Sequence, residues 1–306
     1  MTDRAAVAVV TCVTQSWLAP ALVTMLSVSQ QLNKKEADLI IICDTLDREG
    51  RADAFEFIQH HNIQVEIRTF ALDDFQKIDP GRYSLAAFLR LCLPQILEKD
   101  YQRVLYLDSD ILALAPLDVL LSADLADLPL GAVPEIKLTS GRGILTDRYR
   151  KKIGLDAHAE YFNSGVLLFD WQKTLASGLI SKSKELLLAG QTFRFADQDA
   201  LNLTFANKWH ALPIKWNVEQ SAINYLNLAP ALRHFNHSAK PWWNKNVVGY
   251  RQYHAFYTAA LRGLALENFL RKKGNGSSLL ANIEFLWRKM SLHQRRFLRK
   301  RFAHLI

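Results

Sequence analysis

The sequence predicts an α/β protein with a single nucleotide-sugar-binding domain, built on a mostly parallel, Rossmann-like sheet, followed by a basic helical tail. Apolar runs typical of strands buried on both faces alternate with segments of helical periodicity. The chain has 306 residues, enough for one large α/β domain. Its 49% hydrophobic and 22% charged residues are ordinary for a globular protein and exclude general disorder.

The first part of the chain alternates strands and helices in order. A continuous apolar run at residues 5–13 predicts a buried strand, and residues 20–32 follow as a helix. Residues 39–43 are predicted to form a second strand and residues 51–60 a second helix. A third strand is predicted at residues 62–70.

The next elements lead to the polar residues of interest. Residues 84–97 are predicted to be helical, and residues 104–107 form another short buried strand. After Leu114 prolines and a Gly-Arg-Gly at 141–143 mark loops, and a further helix is predicted at 198–206. Ligands of doubly wound α/β folds bind outside the carboxyl ends of the strands. Polar residues directly after a strand are therefore the candidates for chemistry.

The basic charge is concentrated at the end of the chain. Residues 271–306 hold ten basic residues against the single acid Glu284, a charge of +9, which leaves residues 1–270 at −1 of the total +8. Residues 1–272 are predicted to be the catalytic domain and residues 273–306 a basic amphipathic tail. Such a tail suits an anionic membrane surface. The alternatives are a helix docked on the domain, or a nucleic-acid-binding tail, which is disfavoured because nothing else in the chain resembles a reader of bases.

Three cysteines and the N-terminus bear on the compartment. Cys12, Cys43 and Cys92 lie far apart in apolar runs, so buried reduced thiols are expected. The N-terminus lacks the pattern of a signal peptide. No apolar segment approaches the roughly 20 residues that span a bilayer. The sequence therefore predicts a cytoplasmic protein, peripheral on the inner face of the membrane.

The most informative motif is the pair Asp108 and Asp110 after the strand at 104–107. Residues at positions i and i+2 of an extended chain project to the same side, so both carboxylates can reach one cation. Oxygen ligands suit Mg²⁺ or Mn²⁺, and such a cation can bridge the phosphates of a nucleotide. Taken alone, the pair also fits two solvated carboxylates that cap a turn.

Four further motifs follow in order. They are Asn163-Ser-Gly before an apolar strand, Asp197-Gln198-Asp199 at a predicted helix start, Leu212-Pro-Ile-Lys-Trp216-Asn217, and His234 followed by Lys240-Pro-Trp. With the acidic pair, this ordered set resembles the family 8 glycosyltransferases, retaining enzymes with the A-type nucleotide-sugar fold. Within that family it is most similar to bacterial lipopolysaccharide galactosyl- and glucosyltransferases. The resemblance runs from about Val7 to Trp242.

The resemblance implies a metal site formed by Asp108, Asp110 and His234. Mn²⁺ is expected and Mg²⁺ is possible, because an imidazole beside two carboxylates favours the less hard ion. Seen alone, His234 fits a hydrogen-bonded loop histidine better than a ligand, and Lys240 six residues on shifts the balance toward a ligand. Lys240 is expected to meet a phosphate oxygen as negative charge develops on the leaving diphosphate.

The resemblance also implies residues for the donor. Arg90 is expected to reach the donor, with a solvated arginine on a helix face as the alternative, and Ser109 is assigned to the same site. Asn163 and Asp197 match residues that hold the hydroxyls of the transferred sugar. Gln198 matches the residue near its reactive face, and since an amide is a poor nucleophile, a steadying role is preferred.

Three positions depart from the family pattern. Thr14 and Trp17 stand where many members carry an acidic residue and a tyrosine that contact the nucleoside. Stacking on a base survives in Trp17. His237 replaces a glycine whose backbone approaches the diphosphate.

The sequence thus predicts a metal-dependent hexosyltransferase. It moves galactose or glucose from a UDP-sugar to a saccharide or glycolipid acceptor, such as a lipopolysaccharide core. The alternatives are a nucleotidyltransferase, which shares the fold and the metal, and a degenerate membrane-associated module that binds a nucleotide sugar without transferring it.

Overall fold

The computed structural model describes residues 6–32, 37–76, 78, 85–135, 147–156, 159–191, 193–219, 228–236, 239–247 and 249–271. The predicted tail at 273–306, the loop at 141–143 and His237 lie outside these ranges. Within them, strands and helices alternate along the first part of the chain, as the apolar pattern predicts.

Nine strands in this part of the chain form two sheets. They are β1 (Val7–Val13), β2 (Asp38–Cys43), β3 (Glu66–Thr69), β4 (Arg103–Leu107), β5 (Ile111–Ala113), β6 (Leu130–Pro134), β7 (Phe162–Asp170), β8 (Trp209–Ala211) and β9 (Leu232–His234). Seven of them make the main sheet in the order β3-β2-β1-β4-β7-β6-β8. The other two, β5 and β9, pair with each other.

The main sheet is mostly parallel. Only β7 runs antiparallel to its neighbours β4 and β6, whereas the pairs β1–β2, β1–β4, β2–β3 and β6–β8 are parallel. The strand order reverses between β1 and β4, the switch point at which such sheets bind ligands. The predicted Rossmann-like sheet is therefore confirmed.

Helices cover both faces of the sheet. The α-helices are α1 (Leu18–Ser29), α2 (Arg48–His61), α3 (Leu93–Ile96), α4 (Asp118–Leu121), α5 (Asp147–Ile153), α6 (Trp171–Ser177), α7 (Leu179–Leu188), α8 (Ala196–Thr204) and α9 (Arg251–Leu261). Short 3₁₀ helices span Gln15–Trp17, Asp73–Phe75, Leu85–Cys92, Ile214–Trp216 and Ala265–Arg271. Among these described helices none combines the length and apolarity needed to cross a bilayer.

The core has two layers of side chains, one on each face of the sheet. Val9 and Leu105 pack in one cluster with α1, α2 and α9. Val10 and Val104 pack in the other, with residues 85–92, α7 and α8. Successive residues of a strand point to opposite faces, so continuous apolar runs are what such a sheet requires.

The three cysteines belong to this core and confirm the expectation of buried thiols. Cys12, Cys43 and Cys92 are free and buried. Burial is the main cause that raises the pKa of Cys43 to about 12 and that of Cys92 to about 11. Such thiols stay protonated and unreactive at neutral pH.

Two predicted elements differ from the structure. The predicted helix at 84–97 is a 3₁₀ helix followed by α3, because Pro94 lies in the first turn of α3 and has no N–H to continue a preceding helix. The predicted strand at 62–70 begins only at Glu66. Asn62 instead ends α2 in the left-handed conformation, with φ 51°, which asparagine tolerates better than most residues.

Candidate active site

Asp108, Asp110 and His234 come together at the carboxyl end of β4. His234 Nε2 lies 3.3 Å from an Asp110 carboxylate oxygen and 3.6 Å from one of Asp108. One ligand atom from each of the three residues lies within 4.8 Å of the other two. The β5–β9 pair produces this contact, since Ile111 is paired with His234 and the N–H of Phe235 donates to the carbonyl of Asp110 at 2.9 Å.

The donor atoms of this cluster fit a divalent cation. Two carboxylates and an imidazole are a ligand set that Mn²⁺ and Mg²⁺ accept in proteins. His234 Nδ1 lies 2.9 Å from the side-chain oxygen of Asn217, which leaves Nε2 facing the carboxylates. A histidine ligand is commonly held in this way by a second residue.

Two basic side chains balance the carboxylates. Lys240 Nζ lies 2.6 Å from Asp110 Oδ2 and donates to the carbonyl of Phe235 at 2.7 Å. Burial acts to raise the pKa of Asp110, but Lys240 and His234 outweigh it and hold that pKa well below its usual range. Burial acts to lower the pKa of His234, but Asp110 outweighs it and raises that pKa.

Arg90 joins the metal cluster to a second acidic residue. It is 7% exposed, which rules out a solvated arginine on a helix face. Its Nη2 lies 2.9 Å from Asp108 Oδ1, and its Nη1 donates to the carbonyl of Ser164 at 2.8 Å. Its Nε lies 3.0 Å from Asp197 Oδ2. This last contact is an ion pair, because the Nε hydrogen is donated to the carbonyl of Ala87.

One carboxylate oxygen of Asp197, Oδ2, is therefore available to accept a hydrogen bond from a ligand. It is 5% exposed, and no residue within the described ranges donates a hydrogen bond to its Oδ2. Burial raises the pKa of Asp197 to about 6, with Arg90 acting in the opposite direction. A buried carboxylate oxygen of this kind is costly unless something binds it.

Gln198 is held in one orientation at the start of α8. Its Oε1 accepts from the backbone N–H of Ser164 at 2.9 Å, and its Nε2 donates to the Tyr161 hydroxyl at 3.1 Å. That hydroxyl in turn donates to Asp199 at 2.7 Å. The side chain amide is thus fixed next to Asp197 before any substrate binds.

Asn163 lies at the start of β7 inside a buried polar network. Its Nδ2 donates to Glu135 at 3.0 Å and to Glu219 at 3.1 Å. Its Oδ1 accepts from the backbone N–H of Gly165 at 2.9 Å and from Asn217 at 2.8 Å. No sequence motif marks Glu135 or Glu219, whereas Asn217 ends the motif Leu212-Pro-Ile-Lys-Trp216-Asn217, from which no role for it was predicted.

Trp17 lies near the same end of the sheet. Its ring packs edge-on against Trp242 at 5.7 Å and Trp243 at 6.3 Å, and Lys240 Nζ lies 5.6 Å from the ring centroid. The hydroxyl of Thr14 lies 2.9 Å from that of Ser16. Through Lys240, the segment after β1 thus approaches the metal cluster.

Ser109 and His237 complete the predicted set. The carbonyl of Ser109 accepts a hydrogen bond from Thr24 at 2.9 Å, which ties the acidic turn to α1. His237 lies outside the described residues.

Comparison with known proteins identifies a family and several relatives of this chain. Residues 8–246 match the profile of Glycosyl transferase family 8. The chain is 28% identical over 200 residues to glycosyltransferase GlyF of Streptococcus pneumoniae serotype 4, covering 61% of this chain and 46% of GlyF. It is 22% identical over 283 residues to lipopolysaccharide 1,2-glucosyltransferase of Escherichia coli K12, covering 88% of this chain and 76% of that protein.

A solved structure shares the fold. The galactosyltransferase LgtC, in complex with donor and acceptor sugar analogs, matches with a TM-score of 0.71 and 22% sequence identity. The match covers 83% of this chain and 95% of LgtC. The chain spans less than half the length of GlyF but nearly the whole of LgtC.

Proposed function

The chain belongs to glycosyl transferase family 8, and we propose that it moves galactose or glucose from a UDP-sugar to a saccharide or glycolipid acceptor, such as a lipopolysaccharide core, with retention of configuration. The observation that carries the proposal is the cluster of Asp108, Asp110 and His234 beside Lys240, at the carboxyl end of β4. The glucosyltransferase activity of the Escherichia coli relative and the galactosyltransferase activity of LgtC support a hexose donor.

The proposed metal ligands are Asp108, Asp110 and His234, with Mn²⁺ preferred to Mg²⁺. A bound divalent cation would supply Lewis-acid neutralisation of the diphosphate as its bond to the sugar breaks. Lys240, 2.6 Å from Asp110, would add a second positive charge beside the leaving diphosphate. This arrangement lets the diphosphate leave without a protein proton donor.

The proposed sugar site centres on Asp197. Its Oδ2 has an acceptor position that a sugar hydroxyl can fill, and the side chain is buried. Arg90 contacts Asp197 and Asp108 at once, so it holds the sugar-binding and metal-binding carboxylates at a fixed separation. Gln198, whose amide is engaged at both ends, steadies the reactive face rather than attacking it.

The proposed nucleoside site is the segment after β1. Trp17 offers an aromatic face for base stacking, and Thr14 stands beside it at the end of β1. His237 completes the diphosphate contacts in this proposal.

One assay tests the proposed reaction. Hydrolysis of a panel of UDP-, GDP- and ADP-sugars is measured with Mn²⁺ and with EDTA. Slow release of UDP and free hexose with Mn²⁺, absent in EDTA, is the expected result. Release of pyrophosphate from a nucleoside triphosphate would replace the proposal with a nucleotidyltransferase, and tight donor binding without any turnover would replace it with a binding module.

The proposed setting is the cytoplasmic face of a membrane. Its support is the ten basic residues between 271 and 306 and the apolar residues among them, which together suit an anionic lipid surface. A glycolipid acceptor is presented at such a surface, so a basic tail would keep the catalytic domain close to it.

A further inference from the structure

A buried chain of hydrogen bonds runs from Gly165 through Asn163 and Asn217 to His234. The donor and the acceptor of each bond can be assigned starting from the backbone N–H of Gly165. The N–H of Gly165 is a donor and nothing else, and it lies 2.9 Å from the side chain of Asn163. The Asn163 atom facing it must therefore be the carbonyl oxygen Oδ1. The Asn163 Nδ2 then points at the carboxylates of Glu135 and Glu219, which agrees with the same assignment.

The orientation of the Asn163 amide in turn fixes the orientation of the Asn217 amide. Asn163 Oδ1 also contacts the Asn217 side chain at 2.8 Å, so the Asn217 atom on that side must be the donor Nδ2. The remaining atom of the Asn217 amide is its oxygen, and this oxygen lies 2.9 Å from His234 Nδ1. An oxygen can only accept, so the hydrogen of this bond belongs to His234 Nδ1.

The opposite assignment creates conflicts at every step. A His234 ring with a bare Nδ1 would need Asn217 to be turned over, which would set two oxygens 2.8 Å apart between Asn217 and Asn163. Turning Asn163 over as well would point its NH₂ group at the N–H of Gly165 and its oxygen at two carboxylates. Each such contact leaves buried polar groups unpaired, at about 1–3 kcal/mol apiece.

We propose that Asn217 and Asn163 are positioning residues that hold His234 as its Nδ1–H tautomer and so keep the Nε2 lone pair available to a cation that Asp108, Asp110 and His234 would hold. The inference rests on the metal site of the proposed function. It gives Asn163 a role other than holding the sugar, because both hydrogens of its Nδ2 and both lone pairs of its Oδ1 already have protein partners.

Mn²⁺ affinity, measured by electron paramagnetic resonance on the full chain, tests the inference. Asn217→Leu keeps the branched shape but removes the acceptor, and we expect Mn²⁺ to bind about 10–100-fold more weakly. Asn163→Leu removes the group that orients Asn217, and we expect a smaller loss in the same direction. Asn202→Leu is the matched control, since Asn202 is equally buried but bonds the backbone of Phe162 and not His234.

The control separates positioning from general damage. Asn202→Leu is expected to lower thermal stability and to leave Mn²⁺ affinity unchanged. Wild-type affinity in a folded Asn217→Leu protein would overturn the inference, as would an equal loss in Asn202→Leu. If the wild type itself binds no Mn²⁺, the metal site of the proposed function fails instead.

A second measurement needs no metal and uses a variant only to assign the signal. In wild-type protein with ¹⁵N-labelled histidine, long-range ¹H–¹⁵N spectra at a pH where the imidazole is neutral report which ring nitrogen carries the hydrogen. Comparison with His234→Gln assigns the signal. A proton on Nδ1 supports the inference, and a proton on Nε2 overturns it.

Discussion

Gly165 makes room for the imidazole of His234. A Cβ at position 165 would lie 2.8 Å from His234 Nδ1 and closer still to Cε1, distances that real Cβ atoms essentially never show. The same glycine accepts the N–H of Asp108 at its carbonyl and donates its own N–H to Asn163. One residue without a side chain therefore contacts both halves of the metal cluster.

We expect Gly165→Ala to weaken Mn²⁺ binding by about 10-fold or more, because the added methyl group displaces the imidazole from its place beside the carboxylates. The measurement is Mn²⁺ affinity by electron paramagnetic resonance. Gly131→Ala, on β6, is the control, since the added Cβ would meet the end of the flexible Leu125 side chain. A Gly165→Ala protein with wild-type Mn²⁺ affinity would show that the methyl group fits beside the His234 imidazole without displacing it.

Asp108→Asn and Asp110→Asn are each expected to reduce metal-dependent hydrolysis of a UDP-sugar by about 10²-fold or more, a typical effect of removing electrostatic stabilisation from a transition state. The fold should persist, as circular dichroism can verify. Asp44→Asn is the matched control, because Asp44 follows β2 at the same end of the sheet but lies outside the cluster. Undiminished activity of the wild type in EDTA would contradict the metal-dependent mechanism.

Asp197 is expected to make stability depend on pH. Burial raises its pKa from 3.8 to about 6, so its contribution to stability is full below the unfolded pKa and is lost as pH rises through the folded pKa. From about pH 5 to about pH 8 the loss is about 1 kcal/mol. Asp197→Asn should lose this dependence in urea unfolding of chelator-treated protein.

The control for this pH dependence is Asp127→Asn, at a fully exposed carboxylate paired with Lys173. Its unfolding curve should follow that of the wild type at both pH values. The same pH dependence in wild type and Asp197→Asn would place the pKa of Asp197 near its ordinary value.

Trp17→Ala is expected to raise the KM for the UDP-sugar about 10-fold or more with a smaller change in kcat, since stacking on a base contributes about 1–3 kcal/mol. Trp17→Phe should recover part of the loss. Trp243→Phe, at the neighbouring ring of the same aromatic cluster, is the control for disturbed packing. Equal KM values for the wild type and Trp17→Ala would exclude Trp17 from the nucleoside site.

Deletion of residues 274–306 is expected to release the protein from anionic liposomes and to spare UDP-sugar hydrolysis, because the basic residues of the tail attract acidic lipid. Co-sedimentation with anionic and with neutral liposomes measures the effect. Binding of the deletion protein equal to that of the full chain would place membrane contact elsewhere or nowhere.

The sequence predicts those parts of the fold and site that depend on local pattern. β1, β2 and β4 lie within two residues of their predicted ends, since an apolar run buried on both faces marks them directly. Asp108 and Asp110 were found from their spacing after such a run. β5, β8 and β9 have three residues each, too few to show a period.

Contacts between side chains that are distant in the sequence could not be predicted from the sequence. Arg90 and Asp197 lie far apart in the sequence, and no local pattern predicts their contact. Glu135 and Glu219 are single acids whose burial arises only when loops converge on Asn163. Gly165 carried a usable signal, because a glycine that opens an apolar strand indicates a close approach by another group.

The β5–β9 pair has a consequence for how the protein is made. Asp110 precedes β5 and His234 ends β9, so a large part of the polypeptide lies between two ligands of one cation. A ribosome-bound chain that stops before β9 carries the acidic pair without its imidazole. Closing so long a loop costs only slightly more than closing a short one. A cation held there would thus cross-link the turn before β5 to the end of β9, two segments far apart along the chain.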